Sequence, residues 1–256
     1  MTIDKDENDT LFLSADTLLS YKVPQLPDST GKADSIRFIY AYHHVKMIQK
    51  EVAAVGDSLY YSTEDSTFHI YNSPMMWMDS TQVFGDSIHV LLKNKKIDHL
   101  SIFGNGFIVK LMDTTIYNQV KGKNIEGFVE KEKLKQVDVD GNAESIYFIQ
   151  DDDKAYVGVN QSESGNITLF FDKDDIRSIK LTTGPSAIFT PMKQINPEST
   201  RLEGFRWDWE KKPKSRWEVI RDKAQYEKFI LDEEKKRPKT EEKKPEEQKE
   251  EELKAE

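Results

Sequence analysis

Asp138-Val139-Asp140-Gly141-Asn142 is the stretch of this chain that comes nearest to a chemical site. Alternating carboxylates beside a glycine are what a calcium loop uses, because a hard cation needs several oxygen ligands and a sharp turn to gather them. Here the glycine comes fourth rather than sixth, and Ile149 stands where the twelfth-place glutamate should be. The stretch therefore cannot wrap an ion and reads as a strand-ending turn. Asp151-Asp152-Asp153 reads as a solvated loop, since adjacent carboxylates point in different directions. Five histidines, His43, His44, His69, His89 and His99, could ligate metal, but no His-x-x-x-His pair stands among them and no carboxylate is placed to orient one. They read as surface histidines, the first two in a polar loop and the others in strands. With no cysteine, no Gly-x-Ser-x-Gly elbow and no phosphate-cradling glycine loop, the sequence offers no nucleophile and no nucleotide site. The expectation is a non-enzyme without cofactor or metal. One apolar cluster, PMMWMDS at residues 74–80, suits either a ligand platform, because methionine and tryptophan adapt to irregular shapes, or a strand at the rim of the core.

Composition narrows the partners. A net charge of −9 with no basic patch outside the Lys/Glu-rich C-terminus repels a nucleic-acid backbone. Apolar residues make up 37% of 256, enough for one large or two ordinary all-β cores but not thick ones. No segment reaches the roughly 18 consecutive apolar residues that span a bilayer. The opening MTIDKDENDTLFLS has no basic region followed by an apolar stretch. A secretory signal is therefore not expected in it, and the protein is either cytoplasmic or cut short at its beginning.

What positions these residues is a repeat. Four copies open at Ala33, Gly85, Gly122 and Ser164. Three residues on stand Ile36, Ile88, Ile125 and Ile167; five on, Phe38, Val90, Gly127 and Leu169; seven on, Tyr40, Leu92, Val129 and Phe171. A period of two is strand spacing. The next four residues, AYHH, KNKK, EKEK and DKDD, suit hairpin loops. Val45, Ile97, Leu134 and Ile176 follow twelve on, and Ile48, Leu100, Val137 and Ile179 fifteen on. That odd step calls for a bulge in each second arm. Small-Asp-Ser/Thr triplets at residues 15–17, 33–35, 56–58 and 85–87 read as turns feeding strands. Six on, Ile39, Leu91, Phe128 and Phe170 lie on the opposite face, which suggests that part of the outer surface is covered. Copies recur at irregular intervals, so long hairpins must stack their apolar stripes into two facing sheets, an elongated sandwich or jelly roll. The inward stripe comprises Phe38, Ile88, Val90, Leu92, Ile125, Val129, Ile167 and Leu169, backed by Leu100, Val137 and Ile179.

After Pro191 the hairpins stop. GFRWDWEKKP, residues 204–213, reads as an aromatic segment closing the C-terminal end of the sheet. Ser215-Arg216-Trp217-Glu218 has the form of a capping box, so a helix should begin there and continue through Ile220, Ala224 and Leu231. From residue 232 the chain is almost entirely Lys, Glu, Pro and Gln and should stay disordered. The expected units are 1–203, 204–231 and 232–256.

The openings GDSI and GKNI, the segment STFHIYNSPMMWMDSTQVFGDSI (66–88) and YNQVKGKNIEGF (117–128) resemble the OstA-like proteins of Bacteroidetes-type bacteria, relatives of LptA and of the periplasmic part of LptD. The resemblance runs from about residue 9 to about 213. It implies an all-β fold, an elongated twisted jelly roll or β-taco, with the inward stripe lining a trough for lipopolysaccharide acyl chains. It also implies a periplasmic protein truncated at its N-terminus. Other Lpt-type bridge or outer-membrane proteins, or a second copy of the chain, would add strands to an N-terminal edge left open. A structural envelope scaffold with a closed, dry core is the alternative.

Overall fold

The computed structural model describes residues 10–26, 35–50, 52–131, 133–172, 175–198 and 200–236. Fourteen strands form one continuous antiparallel sheet. In chain order they are β1 (Phe12–Ser14), β2 (Thr17–Pro24), β3 (Ser35–Gln49), β4 (Val52–Ser62), β5 (Thr67–Tyr71), β6 (Met75–Met78) and β7 (Thr81–Phe84). Then come β8 (Ser87–Lys93), β9 (Lys96–Asp113), β10 (Ile116–Glu130), β11 (Lys133–Gln150), β12 (Tyr156–Asp172), β13 (Asp175–Thr182) and β14 (Ser186–Pro191). Two helices follow, α1 (Arg216–Val219) and α2 (Lys223–Lys236).

An 18-residue strand such as β9 or β11 would extend roughly 60 Å if straight, too long for one packed layer. The long strands instead bend midway and run through both layers of a sheet folded on itself. One layer reads β2-β3-β4-β5-β8-β9-β10-β11-β12-β13; the other reads β1-β3-β4-β6-β7-β9-β10-β11-β12-β14. This is an all-β jelly roll of the expected kind. The fold line is marked by register shifts at Tyr42/Val45, Gly122/Asn124 and Asp140/Ala143. Left-handed backbone occurs there at His43, His44, Gly104, Asn105, Gly141 and Asn142.

This geometry gives the repeated glycine its reason. A Cβ on Gly56 would lie 2.6 Å from Ile70 Cγ2, and one on Gly85 would lie 2.6 Å from Ile102 Cγ2. Gly122 stands in the same relation to Val139. At the fold each strand lays its backbone onto the inward branched residue of its neighbour, and only glycine leaves room. The triplets at residues 15–17 and 85–87 feed β2 and β8 as expected, at corners between the layers, whereas Gly56-Asp57-Ser58 is a corner inside β4. Asp138–Asn142 is likewise a bulged corner inside β11, not a strand ending. The triplet at residues 33–35 lies largely outside the described residues.

In three of the four copies the frame matches the strands. The turns between β8 and β9 and between β10 and β11 fall in KNKK and EKEK, and DKDD joins β12 to β13. The expected bulges are present: Leu92 pairs Ile97 but Leu91 pairs His99, and the same extra residue recurs in the other two hairpins. The first copy does not match. AYHH is no loop but the corner of β3, with Ala41 buried and facing the core. That puts Phe38 and Tyr40 on the outer face, stacked on Tyr21 at 5.2 and 5.9 Å. The first copy runs half a hairpin out of phase with the other three, because the alternating residues there suit either face.

The C-terminal segment does not close the end of the sheet. It crosses the outer face of the second layer as a strap, setting Leu202, Phe205, Trp207 and Trp209 on Ala53, Met75, Trp77, Phe84, Phe107 and Val109. Two buried glutamines staple it. Gln82 Oε1 accepts from Trp77 Nε1 (3.1 Å) and from the Asp208 backbone N–H (2.8 Å), while its Nε2 donates to the Arg206 carbonyl (3.0 Å). Gln119 accepts from the Leu202 N–H (2.9 Å) and donates to the Thr200 carbonyl (3.0 Å). The strap ends at the N-terminal side, where Lys46 meets Glu218 (3.0 Å) and Arg221 meets Asp16 (2.9 Å). Ser215 caps α1 by accepting from the Glu218 N–H. The single helix foreseen from Ser215 is broken at Arg221, whose backbone is left-handed, and Asp222 caps α2 by accepting from the Gln225 N–H. The helix then runs past residue 232 to Lys236, further than composition suggested; residues 237–256 lie outside the described residues. Both β13 and β14 remain largely exposed at the end expected to be covered.

Candidate functional site: an apolar slot between the layers

Near the fold line the two layers meet in a dry core, where Leu59, Ile70, Ile88, Ile102, Ile125 and Ile167 are at most 2% exposed. Away from it they part. The gap is a slot of about 660 Å³, in the size range of small-molecule and cofactor sites. Its first-layer wall is apolar: Val90, Leu92, Ile97, Val129, Leu134, Val137, Leu169, Phe171 and Ile176. The second-layer wall is softer and more polar. Met47, Met76, Met78 and Met112 supply four of the chain's seven methionines, flexible thioethers that suit an occupant of irregular shape. Cross-strand register sets Thr81, Lys110 and Asn118 in one row of that wall and Val83, Ile108, Val120 and Ser145 in the row nearer the fold.

Two polar groups in the slot stand out. Ser145 is 2% exposed, and its Oγ has no hydrogen-bond partner among the described residues. Tyr147 reaches from the second layer to the backbone of Ile176 in the first; burial, and then the Asp175 carboxylate, push its hydroxyl above the usual tyrosine pKa. A tyrosine kept neutral in this way bridges the slot without placing a charge in it.

Of the eleven residues foreseen as inward, Val90, Leu92, Val129, Val137 and Leu169 line the slot. Ile88, Leu100, Ile125 and Ile167 are buried in the adjoining core, and Ile179 packs against it. In the first arms distance from the fold explains the split: the position three on lies where the layers touch, and those five and seven on lie where they diverge. Phe38 is a correction, since it lies on the outer face. Apart from the ligand-platform reading of residues 74–80, the repeat frame does not reach the second wall, because it follows each strand only as far as the corner. The signal was present in residues 74–80, where Met76 and Met78 face the slot while Met75 and Trp77 face the strap.

No group of three His, Cys, Asp or Glu side chains that could hold a metal ion converges among the described residues. His43 and His44 instead sit at the β3 corner on Asp57 (3.1 Å) and Asp16 (2.6 Å). No helix among the described residues is long and apolar enough to cross a membrane.

No family model matches the chain, and no curated protein matches it in sequence. Among solved structures it is similar to LptH of Pseudomonas aeruginosa, the LptA-homologous periplasmic component of the conserved lipopolysaccharide transport device. That likeness carries 14% identity over 55% of this chain and 95% of that one, with a TM-score of 0.42.

Proposed function

We propose that the chain is a non-enzymatic lipid carrier whose slot shields acyl chains from water. The observation that carries this reading is the slot itself: an apolar wall facing a methionine-rich one, left apart by a sheet whose core is otherwise close-packed. Each methylene moved from water into such a space contributes about 0.8 kcal/mol, so binding grows with chain length and needs no reacting group. The wording of the sequence, which resembles OstA-like proteins, supports lipopolysaccharide as the lipid and the periplasm as the place. The exposed edges at β2 and at β13 and β14 suit strand addition by a neighbouring Lpt-type bridge or outer-membrane protein, or by a second copy. A structural scaffold would have the two walls meet along their whole length.

The test is photocrosslinking to lipopolysaccharide from a benzophenone amino acid at Val90 or Leu169, with the exposed corner position Lys123 as comparator. Labelling confined to the slot positions is expected. Equal labelling at Lys123 would remove the carrier reading.

A further inference from the structure

The outer face of the first layer is aromatic and uncharged. One ring from each of six neighbouring strands forms a line across it: Tyr21 on β2, Tyr40 on β3, Tyr60 on β4, His69 on β5, His89 on β8 and Phe103 on β9. Successive ring centroids lie 5.9, 5.0, 5.5, 4.3 and 4.9 Å apart. Tyr42 and Tyr71 flank the line, at 6.4 Å from Tyr40 and from His69. Tyr21, Tyr42 and Tyr71 are exposed, the other rings are half-buried, and none belongs to the core between the layers. The three cross-strand rows that carry these rings over β2, β3, β4, β5 and β8 contain no Asp, Glu, Lys or Arg, in a chain where those residues make up 32%. Charge resumes only beyond β9, where Glu126 and Asp138 continue the row of His89. Cross-strand pairing accounts for rings that touch. It does not account for a wet face of five strands without a charge.

We propose that this face is a platform for a neutral glycan laid across the strands, one sugar unit to each ring. The site is separate from the slot and goes beyond the carrier reading. A contiguous apolar patch left exposed on a sheet marks an interaction surface, and its charge selects the occupant. With a net charge of −9 and no cation in its rows, the face repels nucleic acid and an anionic bilayer, and it offers a cationic partner no carboxylate. What remains is an uncharged ligand with apolar C–H faces and many hydroxyls, which is a sugar. The negative face of an aromatic ring attracts the C–H groups on one side of a pyranose. Tyr21 and Tyr40 are inclined at 15° and Tyr40 and Tyr42 at 8°, with centroids 5.9 and 6.4 Å apart. Rings stacked face over face would stand roughly 3.5–4.0 Å apart. These are displaced sideways instead and keep part of each face open. Tyrosine hydroxyls, such as the Tyr21 donor to Tyr40 Oη (3.4 Å), and imidazoles supply partners for the sugar hydroxyls. The repeat fits as well, because rings at about the strand spacing of ~4.8 Å match a ligand that repeats at sugar length.

The experiment titrates cellohexaose into the full chain by calorimetry, with hexagalacturonate, equally long but bearing a carboxylate on each unit, as the second ligand. Cellohexaose should bind with an affinity indifferent to salt, and hexagalacturonate about tenfold more weakly at low salt. Tyr21→Ala/Tyr42→Ala removes two exposed rings and should weaken cellohexaose about tenfold. Tyr21→Phe/Tyr42→Phe, which keeps the rings, should restore most of the affinity, and Phe189→Ala, an exposed ring on β14, should change nothing. No binding of cellohexaose at millimolar concentration overturns the proposal, as does binding that survives loss of both rings or hexagalacturonate binding as tightly. Adsorption to phosphatidylcholine vesicles through Tyr21 and Tyr42 without cellohexaose binding would make the face a membrane surface, and self-association lost in Tyr21→Ala/Tyr42→Ala would make it a contact between copies; either result overturns the glycan platform. Each of these leaves the carrier reading standing, since none of the substituted residues lines the slot.

Discussion

Gly56→Ala tests whether the fold line is built on glycines that neighbouring side chains overlie. The new Cβ would stand 2.6 Å from Ile70 Cγ2, well inside the roughly 3.5–4.0 Å at which carbon atoms attract. Ile70 is 1% exposed and has no room to swing aside. The other neighbours of that Cβ are tolerable, Tyr71 O at 3.4 Å and Pro74 Cβ at 3.8 Å, so the cost falls on one methyl. Overpacking of this kind costs about 1–3 kcal/mol. Ile70→Ala removes the methyl and by itself costs about 2–5 kcal/mol as a core truncation. If the clash is the cause, Gly56→Ala in the Ile70→Ala background should cost under about 0.5 kcal/mol, a coupling of about 1–2 kcal/mol. The assay is urea unfolding followed by tryptophan fluorescence on the four chains of the cycle. Additivity within about 0.5 kcal/mol would refute the argument. Gly127→Ala is the internal contrast: its Cβ would meet Leu134 Cδ1 at 3.7 Å and Leu100 Cβ at 3.8 Å, ordinary contacts, so it should be neutral or stabilise by up to about 1 kcal/mol.

Other outcomes follow from the strap, the edges and the outer face. Gln82→Leu leaves the Trp77 indole N–H, the Asp208 N–H and the Arg206 carbonyl without their buried partner, so it should cost about 2–5 kcal/mol and open the chain to trypsin near Arg206; unchanged cleavage would refute the stapling role. His89 is held below the ordinary histidine pKa by burial first and by His69 second. Its neutral form is favoured on folding, so this contribution to stability is complete above pH 6.5 and is lost as pH falls below it. His89→Phe should flatten stability between pH 7 and 5, read by thermal unfolding, and a slope equal to the parent's would contradict the assignment. The Leu18→Lys/Leu19→Lys pair charges the exposed β2 edge and should weaken any association read by light scattering while changing stability by under about 1 kcal/mol.

How much of this was legible in the sequence depends on which layer is considered. The first layer was readable because Ile88, Val90, Leu92, Ile97 and Leu100 keep one parity up to a bulge, and because polar tetrads punctuate the hairpins. The second layer was not. Beyond the corners the parity of β9, β10 and β11 shifts, so that Ile108, Val120 and Tyr147 face the slot while Phe107 and Phe148 pack outside it. A frame anchored on the first layer assigns those residues to the wrong side. The outer face of the second layer is itself apolar because the strap covers it, which removes the alternation that would have exposed the shift. Phe38 failed for a related reason: β3 carries aromatic residues on its solvent face, where Tyr21, Tyr40 and Tyr60 stack across strands and imitate a core stripe.

The central claim is that acyl chains occupy the space between the layers, and methyl NMR with a spin-labelled fatty acid tests it most directly. A nitroxide near the chain terminus should broaden the methyl signals of Val90, Ile97, Ile108, Leu169 and Ile176, which line the slot from both walls. The methyls of Ile188 and Ile220, exposed elsewhere, should keep their widths. Broadening of Ile188 and Ile220 to the same degree as the slot methyls, or of none of them at saturating ligand, would contradict the account.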